Sequence, residues 1–477
     1  MDYNVKPMIH RFQQNGMNIV MDVNSGIVHV VDDVTYKVLA YYNGTNRGMV
    51  LANLAKDYEE AELNEVMDDL DELIAKEVLF APMDKNYKMA IEDRPIIKAL
   101  CINIAHDCNL RCQYCFAGQG GYGRWRMLMS FDVARRAVDF LIAHSGPREH
   151  CELDFFGGEP LMNWHVVQQT IDYVHKQEKK HGKKIKMSLT TNGLLLDKEK
   201  VKYLTDNHIS LILSLDGRKE MHDRMRPGVH GEGTYDEIVK NLQYCVANRK
   251  GEEYYVRGTF TRYNMDFTTD VIDMIDKGFP AVSMEPVVGE DTADYSIKEE
   301  DLPCVKAEYD RLAKLFIARE EEGRPFFFFH FNMDLWKGPC LPKRLRGCGA
   351  GHEYLAVVPN GDIYPCHQFV GREGYVIGNV YEGLKNFKMM RDFRMNHVFS
   401  KPECVDCWAK FFCSGGCHAN NEAFAGDIHK PFHITCEIQK KRVECAMMIQ
   451  AYNEMKKPKV MAQPGTYQAK KEAMEEK

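Results

Sequence analysis

Six apolar, strand-like runs recur between Pro95 and Asp294 with helical segments between them. This alternation constrains the fold more than any other feature of the chain. The runs are Ile96–Ala105, Cys151–Phe156, Ile185–Thr190, Ile209–Leu215, Tyr254–Phe260 and Ala281–Glu285. Strand–helix–strand repeats of this kind form a parallel sheet with right-handed crossovers. The segment Phe131–His144 shows the helical half of the repeat: Ala134, Ala137, Val138 and Leu141 share one face, and Ser130 can cap the start. Six units make a partial (β/α)6 barrel, an α/β fold whose chemistry belongs at the C-terminal ends of its strands.

The motifs fall at those ends. After the first run comes Cys108–Asn109–Leu110–Arg111–Cys112–Gln113–Tyr114–Cys115–Phe116. Thiolates normally supply all four ligands of a [4Fe–4S] cube. Three close cysteines hold three corners and leave the fourth iron for a small molecule with an amine and a carboxylate. Zinc is the competing reading, but its sites usually combine two Cys-x2-Cys-like pairs. The second run ends in Gly157–Gly158–Glu159–Pro160, where two glycines admit close backbone approach and Glu159 suits an ammonium group. The third ends in Thr191–Asn192 and the fourth in Ser214–Leu215–Asp216, small polar groups able to bond a ligand. Arg226, in His222–Pro227, supplies a cation for a carboxylate, with Arg257 as its competitor; the sixth run ends Met284–Glu285–Pro286.

A second cysteine group lies near the C-terminus. Cys340, Cys348 and Cys366 precede Cys404-x2-Cys407-x5-Cys413-x3-Cys417, and Cys436 follows. Eight cysteines in under a hundred residues suffice for two four-ligand sites. Cys101, Cys151, Cys245, Cys304 and Cys445 lie in apolar or helical stretches and read as buried, inert residues.

The N-terminal part reads as a small winged-helix-like module. It comprises a hairpin (Met17–Val23 and Ile27–Val31), helices through Val34–Tyr42, Val50–Tyr58 and Glu60–Lys76, and a closing strand at Val78–Phe80. It carries no evident chemistry, so it is a binding or packing unit. The expected division is 1–84 for this module, a linker at Asp84–Arg94, 95–300 for the barrel, 301–339 for a helical bridge, 340–452 for the cysteine-rich domain and 453–477 for a mobile charged tail. A net charge of −7 gives no reason to expect nucleic acid or an anionic membrane as partner. No run approaches the ~18 apolar residues of a membrane helix. The start of the chain does not resemble a signal peptide. Clustered cysteines in a chain of this size therefore point to metal ligation in a reducing cytoplasm.

The loop at Cys108–Phe116, with aromatic Tyr114 and Phe116 beside its cysteines, closely resembles the cluster motif of the radical S-adenosylmethionine (radical SAM) enzymes. The C-terminal spacing resembles the SPASM domain of the peptide-modifying members. Along nearly the whole chain, and notably at Asn18–Gly26 and His29–Asp33, it resembles the maturases of six-cysteine (SCIFF) peptides. The resemblance implies three [4Fe–4S] clusters. Cys108, Cys112 and Cys115 would hold the one that binds S-adenosylmethionine. Cys404, Cys407, Cys413 and Cys436 would hold an outer auxiliary cluster, and Cys348, Cys366 and Cys417 an inner one, with Cys340 or a substrate thiolate as its fourth ligand. It implies cofactor contacts from Tyr114, Phe116, Gly157, Gly158, Glu159, Pro160, Thr191, Asn192, Ser214, Asp216 and Arg226, with Met284 near adenine. It further implies a cysteine-rich precursor peptide whose leader adds a strand to the N-terminal sheet, and an external flavodoxin- or ferredoxin-type reductant in an anaerobic cytoplasm. The implied reaction is a thioether crosslink from a cysteine sulfur to an acceptor such as a threonine Cα. Formylglycine formation, carbon–carbon linkage and epimerisation are the alternatives within the family. A non-catalytic electron carrier is the alternative outside it.

Overall fold

The computed structural model describes residues 6–83, 96–123, 126–332 and 341–456. The expected linker Asp84–Arg94, Cys340 and the tail beyond residue 456 lie outside the described residues.

The barrel strands are Ala99–His106, His150–Gly157, Lys184–Thr191, Ser210–Ser214, Tyr254–Phe260 and Ala281–Pro286, each within three residues of its expected bounds at either end. They lie side by side in chain order, all parallel. All eight residues of the first strand are buried, as a strand enclosed on both faces must be. The helix Phe131–His144 buries Val133, Ala134, Ala137, Val138, Phe140 and Leu141 against the sheet, and the Ser130 hydroxyl accepts the Val133 N–H at 3.4 Å. Two further strands extend the sheet. Phe327–Phe328 runs parallel beside the sixth barrel strand. Tyr354–Val357 runs parallel beside the first, from Tyr354↔Ala99 to Val357↔Ile102, and then turns back as the antiparallel strand Asp362–Tyr364. The cysteine-rich domain is thus joined to the barrel through one continuous sheet.

The N-terminal module has three antiparallel strands, Ile9–Gln14, Met17–Asp22 and Val28–Val31, and three helices, Asp33–Val38, Arg47–Leu54 and Glu60–Ala75. The first strand was not expected. It is joined to the second by Asn15–Gly16, both in left-handed backbone (φ 51° and 75°), the geometry of a two-residue type I′ hairpin turn. The expected strand at Val78–Phe80 is absent, because Glu77 (φ 54°) and Phe80 (φ 48°) break the extended run. Buried Asp22 closes the module instead, accepting the Ala81 N–H at 3.0 Å and the Ser25 N–H at 2.7 Å.

The helix His433–Lys456 passes the expected boundary at residue 452 and ties the parts together. It packs along the helix Leu302–Glu321, where Arg442 donates to the Tyr309 hydroxyl at 2.8 Å. Its Glu444 meets His10 of the N-terminal sheet at 3.0 Å. The His10 ring stacks on Trp408 with centroids 3.6 Å apart.

Candidate active site

The first and second barrel strands approach so closely at their C-terminal ends that side chains are excluded. The Gly158 N–H donates to the Ala105 carbonyl at 2.7 Å and the Glu159 N–H to the Asp107 carbonyl at 2.8 Å. A Cβ at Gly157 (φ 135°) would stand 2.3 Å from the Ala105 carbonyl oxygen, and one at Gly158 2.1 Å from that of Asp107. The two glycines therefore set the base of the cysteine loop directly on the second strand.

The loop is held from its other side by the backbone at residues 224–228. The Arg111 N–H donates to the Pro227 carbonyl at 2.8 Å, the Gln113 N–H to Met225 at 2.9 Å, and the Gln113 side chain to Arg224 at 2.8 Å. Cys108, Cys112 and Cys115 gather here closely enough for their thiols to act on one another. Burial pushes the Cys108 thiol up to about 12 and the Cys112 thiol up to about 11.

Glu159 is buried at the cavity wall. Its carboxylate accepts from the Thr191 hydroxyl (2.8 Å), the Asn192 N–H (2.9 Å) and the Leu161 N–H (3.0 Å), which ties the second and third strand ends together. Burial raises it to about 7, against the lowering effect of those three bonds. Asn192 turns toward the loop and donates to Asn109 at 2.8 Å. Asp216 is buried behind the loop. One of its oxygens accepts from the Tyr114 hydroxyl at 2.5 Å and forms an ion pair with Arg226, 3.0 Å from Nε; the other accepts from the Thr259 N–H at 2.9 Å. The Arg226 guanidinium also lies 5.6 Å from the Tyr114 ring centre. His222, pushed down to about 4 by burial, accepts the Asp216 N–H at 3.4 Å from behind. The expected contribution of Asp216 is thus indirect: it holds Tyr114 and Arg226, which line the cavity, and does not line it itself.

That cavity has a volume of about 910 Å³. Cys108, Cys112, Tyr114, Cys115, Phe116, Gly157, Gly158, Glu159, Thr191, Asn192, Ser214, Arg226 and Arg257 all line it. Two expected contacts are corrected. Met284 is wholly buried in the core and its neighbour Glu285 faces the cavity, because successive strand side chains point to opposite faces. Pro160 opens a buried 3-10 turn, Pro160–Asn163, outside the lining. Of the cysteines read as buried and inert, Cys101 is buried as expected but borders the cavity, and Cys304 is exposed.

Sequence reasoning missed the lumen side of the strands. Asp154 lines the cavity and accepts from the Ser188 hydroxyl at 2.5 Å. Glu285 pairs with Arg442 at 3.1 Å and meets His330 at 2.7 Å; these neighbours hold it well below the usual carboxylate range despite its burial, while burial lowers the imidazole itself. His367 bonds the Tyr354 hydroxyl at 2.8 Å. Strict alternation along the sixth strand was the signal that could have found Glu285.

The cysteine-rich domain closes the other wall, where Cys413 and Cys417 line the same cavity. Its thiols fall into two neighbourhoods. Cys366 is influenced by Cys348 and Cys417, and Cys436 by Cys413, Cys404 and Cys407. Cys340 is outside the described residues. Among those residues no three His, Cys, Asp or Glu side chains converge tightly enough to hold a single metal ion. Soft thiol donors grouped round wider spaces suit multi-iron clusters better than single ions. The three-cysteine loop, open on the cavity and backed by glycines, fits a cluster with a small chelating ligand.

Comparison with known proteins agrees. The radical SAM superfamily model matches residues 102–261, and that of SPASM, an iron–sulfur cluster-binding domain, matches residues 348–408. The chain carries a radical SAM domain and a SPASM domain. S-adenosylmethionine and iron–sulfur clusters are the cofactors these domains serve. The radical SAM cyclopropyl synthase TigE of Paramaledivibacter caminithermalis is 21% identical over 452 residues, covering 89% of this chain and 91% of that protein. A cysteine-type anaerobic sulfatase-maturating enzyme of Clostridium novyi is 24% identical over 340 residues, covering 66% and 86%. Among solved structures, native anSMEcpe with bound AdoMet superposes with a TM-score of 0.60 at 20% identity, over 74% of this chain and 99% of that one. Streptococcus suis SuiB bound to S-adenosylmethionine gives 0.52 at 16%, over 90% and 99%. These likenesses establish a shared fold for the radical SAM and SPASM domains. Among the described residues no helix is long and apolar enough to cross a membrane.

Proposed function

We propose that this radical SAM/SPASM protein is a peptide maturase. It forms an intramolecular thioether in a ribosomally made, cysteine-rich precursor peptide, joining a cysteine sulfur to an acceptor carbon such as a threonine Cα. The observation that carries the reading is a cavity lined both by Cys108, Cys112 and Cys115 of the barrel and by Cys413 and Cys417 of the cysteine-rich domain. A peptide segment in that space touches both cysteine-rich walls at once.

When bound, S-adenosylmethionine and its cluster supply a 5′-deoxyadenosyl radical that removes a hydrogen atom. The chain's own residues hold and orient. Cys108, Cys112 and Cys115 give three ligands. Glu159, through Thr191 and Asn192, fixes the strand ends around the cofactor, and Tyr114, Phe116 and Ser214 line its place. Arg226, held by Asp216, presents a cation for the carboxylate. Closure of the cavity by the SPASM domain limits water at the reacting centre. Among the described residues the edge strand Val28–Val31 is paired on one side only, which suits a leader peptide that adds a strand. Cys404, Cys407, Cys413 and Cys436 form the outer ligand set, and Cys348, Cys366 and Cys417 the inner. An external one-electron reductant is required.

A second reading, epimerisation, is favoured by Cys101, a thiol in the cavity wall able to return a hydrogen atom. Formylglycine formation is a third outcome of the same experiment; relatives of this chain are named sulfatase-maturating enzymes. The reconstituted protein, reduced without oxygen, is incubated with S-adenosylmethionine and a short cysteine-rich peptide encoded beside its gene. Loss of two hydrogens per crosslink, with 5′-deoxyadenosine released, supports the thioether. Unchanged mass with an inverted centre supports epimerisation. Exchange of a cysteine sulfur for oxygen together with loss of two hydrogens supports formylglycine. No 5′-deoxyadenosine overturns the maturase reading.

A further inference from the structure

Lys401 is almost wholly buried, at 1% exposure, in the SPASM domain. A buried ammonium is heavily penalised unless an anion stands near it. Among the described residues Lys401 makes no ion pair. Its Nζ donates to the Gly415 carbonyl at 2.6 Å. Burial lowers the Lys401 pKa from its ordinary value, and the groups that oppose this most are the thiols of Cys404, Cys413, Cys436 and Cys417. Among the described residues the Asp427 carboxylate also feels Lys401, but Asp427 is exposed and bound to His429. Nearby His397 and His418 are held neutral by burial and supply no negative charge. Lys410, a second buried lysine, has Asp406 within its influence, whereas the strongest negative influences on Lys401 are all thiols.

Placement adds to the argument. Gly415 lies in the Cys413–Cys417 segment, whose two cysteines belong to the two different ligand sets. Its carbonyl takes both Lys401 and the Asn421 side chain, at 2.6 and 3.2 Å. At φ 83°, with Lys401 Nζ 3.0 Å from where a Cβ would stand, Gly415 leaves room for that ammonium. Neutral thiols leave Lys401 unbalanced, whereas thiolates ligating iron provide the missing negative charge. Electrons added opposite a fixed positive charge are stabilised, and net charge and hydrogen bonds near the sulfurs are among the features that set a cluster's potential.

We propose that Lys401 is the internal counter-ion of the auxiliary clusters, a positioning residue that fixes the Cys413–Cys417 link and raises the reduction potential of the outer cluster. This rests on the assignment of Cys404, Cys407, Cys413 and Cys436 to that cluster.

The test uses the full chain with Cys108, Cys112 and Cys115 replaced by alanine, so that only auxiliary clusters are loaded. Iron and sulfide content are measured, and potentials are followed by electron paramagnetic resonance during dithionite titration. Lys401→Met is expected to lower the outer cluster's potential so that the reduced-to-oxidised ratio at fixed potential falls roughly tenfold, about 59 mV for one electron. Lys401→Arg is expected to stay near the parent value. If Lys401→Met prevents loading while Lys401→Arg loads, the counter-ion role also stands. A loaded Lys401→Met protein with the parent potential overturns the proposal, as does failure of both variants to load, which makes shape rather than charge decisive. If the parent itself carries no iron in the SPASM domain, it is the cluster assignment that fails.

Discussion

The two cysteine-bearing regions reach the same cavity by different routes. At the barrel mouth three ligands fall within eight residues. Their loop is hydrogen-bonded to strand ends and to the 224–228 backbone, so its shape comes from a sheet that needs no metal. In the SPASM domain the seven cysteines assigned to clusters are spread from Cys348 to Cys436. Between them stand glycine turns, short helices and a buried lysine that, among the described residues, makes no ion pair with a carboxylate. The barrel mouth is a prepared socket, whereas on the proposed assignment the SPASM segments depend on the clusters they would hold.

Disabling one region without the other gives the widest separation. Cys112→Ala is expected to abolish 5′-deoxyadenosine formation, a loss of at least about 10³-fold of the kind seen when an essential catalytic element is removed. It should leave the circular dichroism spectrum and SPASM-bound iron unchanged. A collapsed fold in this variant would break the contrast. Cys413→Ala is expected to do the reverse: iron is lost from the SPASM domain, the melting temperature falls and proteolysis increases between residues 400 and 436, while 5′-deoxyadenosine is still released without modified peptide.

Asp216→Asn probes the socket's polar frame. It keeps the shape but leaves buried Arg226 without its anion, and breaking a buried pair costs about 3–5 kcal/mol. Thermal stability should fall, and affinity for S-adenosylmethionine should drop at least about tenfold in equilibrium binding. The smallest effect concerns His222. Burial lowers it from 6.5 to about 4, so the folded protein keeps it neutral while the unfolded chain takes up a proton below pH 6.5. Its stabilisation is present above that pH and is lost as the pH falls toward 4, by up to about 3 kcal/mol for a difference of about 2.5 units. His222→Gln should flatten this part of the stability–pH curve, measured by denaturant unfolding. An unchanged slope would remove His222 from the acid response.

Much of the socket was legible in the sequence because its information is local. A strand run followed by Cys-x3-Cys-x2-Cys, and a second run followed by Gly-Gly-Glu, carry their own positions. The six strands followed from periodicity for the same reason. What stayed hidden depends on facing direction or on distant partners. Met284 and Glu285 differ by one residue; alternation puts them on opposite faces, but which face meets the cavity depends on how the strand sits in the barrel. Tyr354–Val357 reads as a short apolar run, and nothing local says that it pairs with a strand some 250 residues earlier. The hairpin turn Asn15–Gly16 was local and readable, yet the polar run His10–Gln14 before it masked the strand.

That pairing of Tyr354–Val357 with Ala99–Ile102 has a consequence for biosynthesis. While the ribosome is still making the middle of the chain, the barrel's first strand waits with a row of peptide groups unsatisfied on its outer side. A nascent chain arrested before residue 354 would carry a nearly finished barrel with an adhesive margin. Premature termination there should yield insoluble aggregates, so the C-terminal domain also serves as the piece that seals the enzyme against its neighbours.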